Sequence, residues 1–357
     1  MGYTRAEAQA ELRYGYDEWE FMRIFPPTAG EIAGAPLLMC SPGGLWNNRG
    51  DDALALSGDL ATLSDILRPL GWYIAVVSHQ PVFSAADWRS QAFTAKAWPG
   101  PLKSFARALS FLLSNTTYQS EYGSSFLTSS TASIDPTKAC VAGHSSAGGL
   151  AMLLATIPPG RFPIDGIVGL EIDNYPYNAF PRPRAAVNIE GQLDWTQYVF
   201  PTDGGLGLVY DQDSHQAIAP DIAVGPWLSW TATPLSIKKT MSPLWWVLAG
   251  YPGARNIRCY HSYRNVADAY GANLTGDDFV PGVPQADFAG QKAFAEPHCR
   301  YQVYGAAKYW TLARIPNRCS LGTSIVTYSG GAWTVAAGAI SSRMQDVASY
   351  LQSAVST

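Results

Sequence analysis

The chain has 357 residues, 47% of them hydrophobic and only 15% charged, with a formal net charge of −4. A chain of this size can bury a sizeable core, and a slightly acidic balance with no run of like charge speaks against nucleic acid or an anionic membrane surface as a partner. No apolar run approaches the ~20 residues of a membrane-spanning helix, and the stretch from Met1 to Glu7 lacks the apolar core of a signal peptide.

In chain order, Glu18 to Phe25 alternates as a half-exposed strand would, and Pro36 to Cys40 is a short apolar run of the kind that forms a buried strand. Leu54 to Leu70 carries apolar residues at three-to-four spacing and reads as a helix. The next strand is Tyr73 to Ser78. Pro101 to Leu113 opens with proline and continues with Phe105, Ala108, Leu109 and Leu112 on one face, a second helix. Ala139 to Ala142, Gly166 to Ile172 and Ala185 to Ile189 are further buried strands, with the helix-forming run Leu150 to Ala155 after the first of them. Alternating strands and helices predict an α/β fold with a mostly parallel central sheet flanked by helices.

Beyond residue 225 the texture changes. Trp227, Trp230, Trp245 and Trp246 crowd a proline-containing segment, and little strand–helix alternation follows, although Ile257 to Tyr260 is strand-like and Gly305 to Arg314 helix-like. Met344 to Val355 reads as a terminal helix. The chain 1–357 is expected to be one domain, with a core over about 12–224 and 341–355 and with 225–340 as an elaboration or cap. The tryptophans serve either a packed satellite core or an aromatic or lipid-facing cap.

The five cysteines (Cys40, Cys140, Cys259, Cys299 and Cys319) have no C-x-x-C spacing, so no zinc or redox motif is expected. Cys40 and Cys140 fall in strand runs and read as buried thiols. Cys259, Cys299 and Cys319 are candidates for a disulfide if the protein is secreted. Few lysines and the sequons at Asn115 and Asn273 lean towards a secreted, mature chain rather than a cytoplasmic one. Asp51-Asp52 and Asp277-Asp278 are adjacent pairs that suit solvated loops better than a metal. Gly143 to Gly149 lacks the Lys-Ser/Thr ending of a phosphate loop, so neither metal nor cofactor is expected.

The decisive stretch is Gly143-His144-Ser145-Ser146-Ala147-Gly148, between a strand and a helix. A G-x-S-x-G elbow holds its serine in a strained turn, which requires small residues two before and two after it. Gly143 and Ala147 meet that need for Ser145. The register that would make Ser146 the nucleophile puts the bulky His144 in the tight position. Upstream, Ser41-Pro42-Gly43-Gly44-Leu45-Trp46 follows an early strand. Its amides at Gly44 and Leu45, with that of Ser146, are candidate oxyanion donors, each typically contributing about 3–4 kcal/mol to the transition state.

A serine nucleophile needs an imidazole base, itself oriented by a carboxylate. His79 ends an early strand and His144 sits in the elbow, positions that do not suit a base. His215 follows the strand-like Leu208 to Tyr210 in Asp213-Ser214-His215 and is the first candidate; His298, before a helical run, and His261, after a strand-like run, are the others. Asp194, after Asn188-Ile189-Glu190-Gly191-Gln192-Leu193, and Asp173, after the strand ending at Ile172, are the candidate acids.

Ser41-Pro42-Gly43, Ile134-Asp135-Pro136-Thr137-Lys138 and Gly143-His144-Ser145 with Gly148 resemble the motifs of bacterial cutinase-like polyester hydrolases and of platelet-activating-factor acetylhydrolases. The similarity spans about residues 12 to 222. Gly43-Gly44-Leu45-Trp46, with Tyr14-Gly15 upstream, also resembles the feruloyl-esterase and kynurenine-formamidase branch. The resemblance implies an α/β-hydrolase fold and cofactor-free hydrolysis of a carboxylic ester by a serine triad. The polyesterase layout implies Asp194 as acid and supports His215; the acetylhydrolase layout implies Asp173. The expected activity is therefore that of a serine esterase on a small-molecule, lipid or polymeric ester. An amidase or formamidase shares the machinery, and a non-catalytic binding protein of the same fold is the alternative from another class.

Overall fold

The computed structural model describes residues 3, 7–8, 10–15, 20–30, 32–43, 56, 58–79, 100–113, 134–157, 182–191, 193, 239–248, 257–261, 301–315, 317–321, 324–336, 338–339 and 341–356. Its strands are β1 (Ala10–Arg13), β2 (Phe21–Phe25), β3 (Ala35–Ser41), β4 (Tyr73–Val77), β5 (Ile134–His144), β6 (Ala185–Ile189), β7 (Ile257–His261), β8 (Asn317–Leu321), β9 (Ser324–Ser329) and β10 (Ala332–Ala336). The helices are α1 (Gly58–Leu67), α2 (Gly100–Leu113), α3 (Ser146–Thr156), α4 (Pro243–Leu248), α5 (Tyr301–Leu312) and α6 (Arg343–Ser356).

These strands form one sheet in the order β1-β2-β4-β3-β5-β6-β7-β8-β9-β10. The six from β4 across to β8 run parallel. β1 and β2 extend one side antiparallel, and β9 and β10 make a small antiparallel sheet on the other. The fold is thus α/β, a mostly parallel sheet flanked by helices.

A strand side chain alternates between faces, so a strand covered on both sides must be apolar throughout. β3 and β4 obey this residue by residue. Leu37, Met39, Tyr73, Ala75 and Val77 pack beneath α2, α3, α4 and α5, whereas Leu38, Cys40, Ile74 and Val76 pack beneath α1 and α6. Each fully buried Leu or Val contributes about 2 kcal/mol from the surface it removes from water. Trp246 and Trp310 join the first of these layers, which makes them core residues. A buried ion pair fastens α2 to the strand layer: Arg107 donates to both carboxylate oxygens of Glu20, at 2.7 and 2.6 Å.

The elements follow the sequence reading with informative departures. The first long helix starts at Gly58, not Leu54, and ends in a 3₁₀ turn, Arg68–Leu70, closed by Gly71. The strand expected from Glu18 starts at Phe21. The expected strands at 166–172 and 208–210, with Trp227 and Trp230, lie outside the described residues. The stretch set apart as an elaboration, 225–340, supplies four strands of the sheet, β7 to β10. β7 follows the strand-like run expected at Ile257 to Tyr260, whereas β8 (NRCSL) mixes charged and polar residues and lacks the unbroken apolar run that betrays a strand.

Cys40, Cys140 and Cys319 are buried and in no disulfide, so the one considered for Cys319 is not formed. Burial pushes the Cys140 thiol up to about 12 and raises that of Cys40 as well, which leaves both unreactive. Cys259 stands opposite Cys319 in the β7–β8 register, and Cys299 lies outside the described residues. Among the described residues no helix is long and apolar enough to cross a membrane.

Candidate active site

In a parallel sheet the carboxyl ends of all strands open on one edge, and that edge is where such folds place their ligands. The register brings four segments level there. Ser41 pairs with Gly143, His144 with Ile189, and Ile189 with Tyr260. The residues that follow these positions are Pro42-Gly43, Ser145, Glu190 and His261.

Ser145 is the hinge between β5 and α3. Its backbone takes φ 54° and ψ −126°, a region that costs a residue with a side chain about 1–3 kcal/mol. The strain is held from several sides. The Ser145 amide donates to the Ile189 carbonyl at 2.8 Å, and the Gly148 amide donates to the Ser145 carbonyl at 2.9 Å. The glycines two before and three after Ser145 are explained by contact. A methyl group on Gly143 would overlap the Ala147 carbonyl, and one on Gly148 would overlap the Asn188 amide oxygen. Ser145 is 8% exposed while Ser146 has no exposed surface, so of the two serines only 145 faces the edge. Ser146 opens α3, with its amide in the first turn.

The loop after β3 meets the elbow directly. A methyl group on Gly43 would lie 2.5 Å from Ser145 Cβ, 2.8 Å from the His144 carbonyl oxygen and 3.1 Å from His144 Nδ1. Only glycine lets the two backbones approach this closely.

Two further side chains occupy this edge. Glu190, directly after β6, has φ 57°, a left-handed conformation that costs a non-glycine residue about 1–2 kcal/mol. Asn188 sets this turn. Its side-chain amide donates to the Gly191 carbonyl at 3.0 Å, and its oxygen accepts from the Gly191 amide at 2.8 Å, closing the loop that carries Glu190. The Glu190 carboxylate lies 3.4 Å from His144 Nε2, with side-chain exposures of 6% and 39% respectively. Neither residue is marked as functional by the sequence pattern. The available signal is Asn188, a polar residue in a buried apolar strand, which must find partners in a turn.

Of the residues nominated from sequence, the structure brings together Ser145, Ser146 and the loop through Gly43. Gly44, Leu45, Asp173, Asp194, His215 and His298 lie outside the described residues. His261 ends β7 one position beyond the Tyr260–Ile189 pair, level with Glu190. Its backbone is therefore two strands from Ser145, about 10 Å across the sheet.

Neither a family model nor a curated protein matches the chain. Among solved structures, a truncated form of a carbohydrate esterase from gut microbiota aligns over 100% of both chains, with a TM-score of 0.58 and 15% identity. A bifunctional GH43-CE protein of Bacteroides eggerthii aligns with a TM-score of 0.53 and 15% identity over 96% of this chain and 37% of its own. This chain thus spans little more than a third of that protein. At such identity the likeness establishes a common fold, the fold of these esterases.

Proposed function

We propose that this protein is a serine carboxylic-ester hydrolase of the α/β-hydrolase fold. The observation that carries the reading is the backbone of Ser145 at φ 54° and ψ −126°, between a buried parallel strand and a helix, with Gly43 of the β3–α1 connection against it. That fold takes its oxyanion donors from the residue after the nucleophile and from the loop after its third strand. In sequence, Ser146 follows Ser145 and Pro42-Gly43-Gly44-Leu45 follows β3, which supports giving them those roles.

The chemistry follows from these roles. Ser145 Oγ attacks the ester carbonyl while a histidine takes its proton, and the carbonyl oxygen becomes an oxyanion held by the amides of Gly44, Leu45 and Ser146. The same histidine returns the proton to the departing alcohol. Water then repeats the sequence on the acyl-enzyme and releases the acid. His215 is the first candidate base, oriented by Asp194 or Asp173. A second reading gives the base to His261, because β7 ends level with the elbow on the same edge. The fold shared with a carbohydrate esterase from gut microbiota supports an ester substrate.

The test is hydrolysis of p-nitrophenyl acetate and butyrate. Ser145→Ala is expected to lower kcat by about four orders of magnitude or more while the protein stays folded. Turnover retained in that variant refutes the nucleophile, and no turnover in the wild type favours a binding protein. In parallel, alanine at His215, His261 or His298 identifies the base as the position whose loss matches that of Ser145.

A further inference from the structure

We infer that Glu190 and His144 act as a positioning pair, in which the Glu190 carboxylate holds the His144 imidazole against the loop after β3 and so fixes Gly43 beside Ser145. The inference rests on the reading of Ser145 as the nucleophile.

The starting point is an anomaly of residue choice. The position after β6 is left-handed, φ 57°, and glycine would occupy it without strain. Glutamate there bears the backbone cost and, in addition, places a carboxylate with only 6% exposure where water solvates it poorly. Both penalties are understandable if the carboxylate has work at that spot. It lies 3.4 Å from Nε2 of His144, the residue immediately before Ser145.

The other side of the imidazole points to the same task. Nδ1 of His144 borders Gly43, since a methyl group on that glycine would come within 3.1 Å of it. Gly43 in turn crowds Ser145 Cβ. Glu190, His144 and Gly43 therefore form a continuous line beside Ser145, while Gly191 packs on its backbone: a methyl group there would lie 2.5 Å from the Ser145 carbonyl oxygen. An oxyanion hole works only when its donors sit at the position the oxygen will reach, so a support for the donor loop acts on the transition state more than on substrate binding. Neither side chain is placed on the reacting atoms. Their role is to hold the backbone that is.

The experiment compares wild type with Glu190→Gly, Glu190→Gln, His144→Gln, the Glu190→Gly/His144→Gln double variant and Ser145→Ala. The readouts are kcat and KM on p-nitrophenyl butyrate together with Tm. Glu190→Gly removes the carboxylate but suits the backbone, so Tm is expected to hold or rise while kcat falls about ten- to a hundredfold and KM stays within about twofold. Glu190→Gln keeps an acceptor for His144 and should retain more kcat than Glu190→Gly. The double variant should be no slower than the worse single one, because the two residues act through one contact.

Wild-type kcat in Glu190→Gly, a change in KM alone, or fully multiplicative losses in the double variant would overturn the pairing. If Glu190→Gly does not fold, His144→Gln, at the more exposed partner, decides by the same kcat criterion. Failure of the underlying reading looks different. Turnover surviving in Ser145→Ala, or absent from wild type, removes the nucleophile and the pair together, whereas a dead Ser145→Ala beside a fully active Glu190→Gly removes only the pair.

Discussion

The two ends of the parallel sheet use glycine for opposite purposes. At the amino end, Gly34 precedes β3 with φ +69° and Gly71 precedes β4 with φ +89°; a methyl group added at Gly34 would meet nothing within 4 Å, and one at Gly71 would meet only the flexible tip of Ile32. Those glycines turn the chain. At the carboxyl end, Gly43, Gly143, Gly148 and Gly191 are pressed against backbone or a buried side chain, and the positive φ values belong to Ser145 and Glu190. There glycine makes room, and strain is carried by residues with polar or charged side chains. An edge that only joins elements relaxes its turns; an edge that holds a site keeps them under strain.

Substitutions that treat both ends alike sharpen this contrast. Gly143→Ala should have the largest effect, since its methyl group meets a backbone carbonyl that cannot rotate away. A loss of at least about 2–3 kcal/mol in urea denaturation is expected, together with loss of ester turnover. Gly34→Ala should cost about 1 kcal/mol from backbone strain alone, with kcat and KM unchanged. Equal damage to turnover at both glycines would break the comparison.

The smallest effect is expected at Asp135, on the amino end of β5. Its carboxylate accepts from the Thr137 hydroxyl at 2.6 Å and the Thr137 amide at 2.9 Å, with Lys138 Nζ 3.3 Å away, and these bonds, the hydroxyl first, hold its pKa below the ordinary carboxylate value. A lowered folded-state pKa gives stability that is present above the unfolded value, near about 4, and is lost as pH falls through the folded one. The stability difference between wild type and Asp135→Asn should therefore be constant at neutral pH and vanish in acid, without any change in turnover at pH 7.

What could be read from the sequence was what is local. Ser145, its small neighbours and the Pro42-Gly43 loop each declare themselves within a few consecutive residues, because a tight turn restricts every position in it. Glu190 was hidden because its conformation contradicts its type: nothing in Asn188-Ile189-Glu190-Gly191 announces a left-handed glutamate until the Asn188 bonds are seen. The β9–β10 hairpin was missed despite a legible signal. Ser329 pairs with Ala332 across Gly330-Gly331, both with positive φ, the pattern of a tight two-residue turn. β7 was legible as the strand-like Ile257 to Tyr260, whereas β8 was hard to recognise for a third reason: its neighbours in the sheet, rather than its own composition, make it a strand.

The bond from the Ser145 amide to Ile189 also bears on when the proposed nucleophile takes its strained conformation. Ser41 and Gly143 must find each other across about a hundred residues, and long-range pairings of that kind are slow to form. Until they do, and until β6 arrives to accept the amide, the segment from Gly143 to Gly148 carries an ordinary alcohol. On the proposed reading of Ser145, reactivity is thus a late property of the maturing chain: a growing or half-folded molecule carries the motif without its strained turn, and the proposed nucleophile is formed only once the sheet around it has closed.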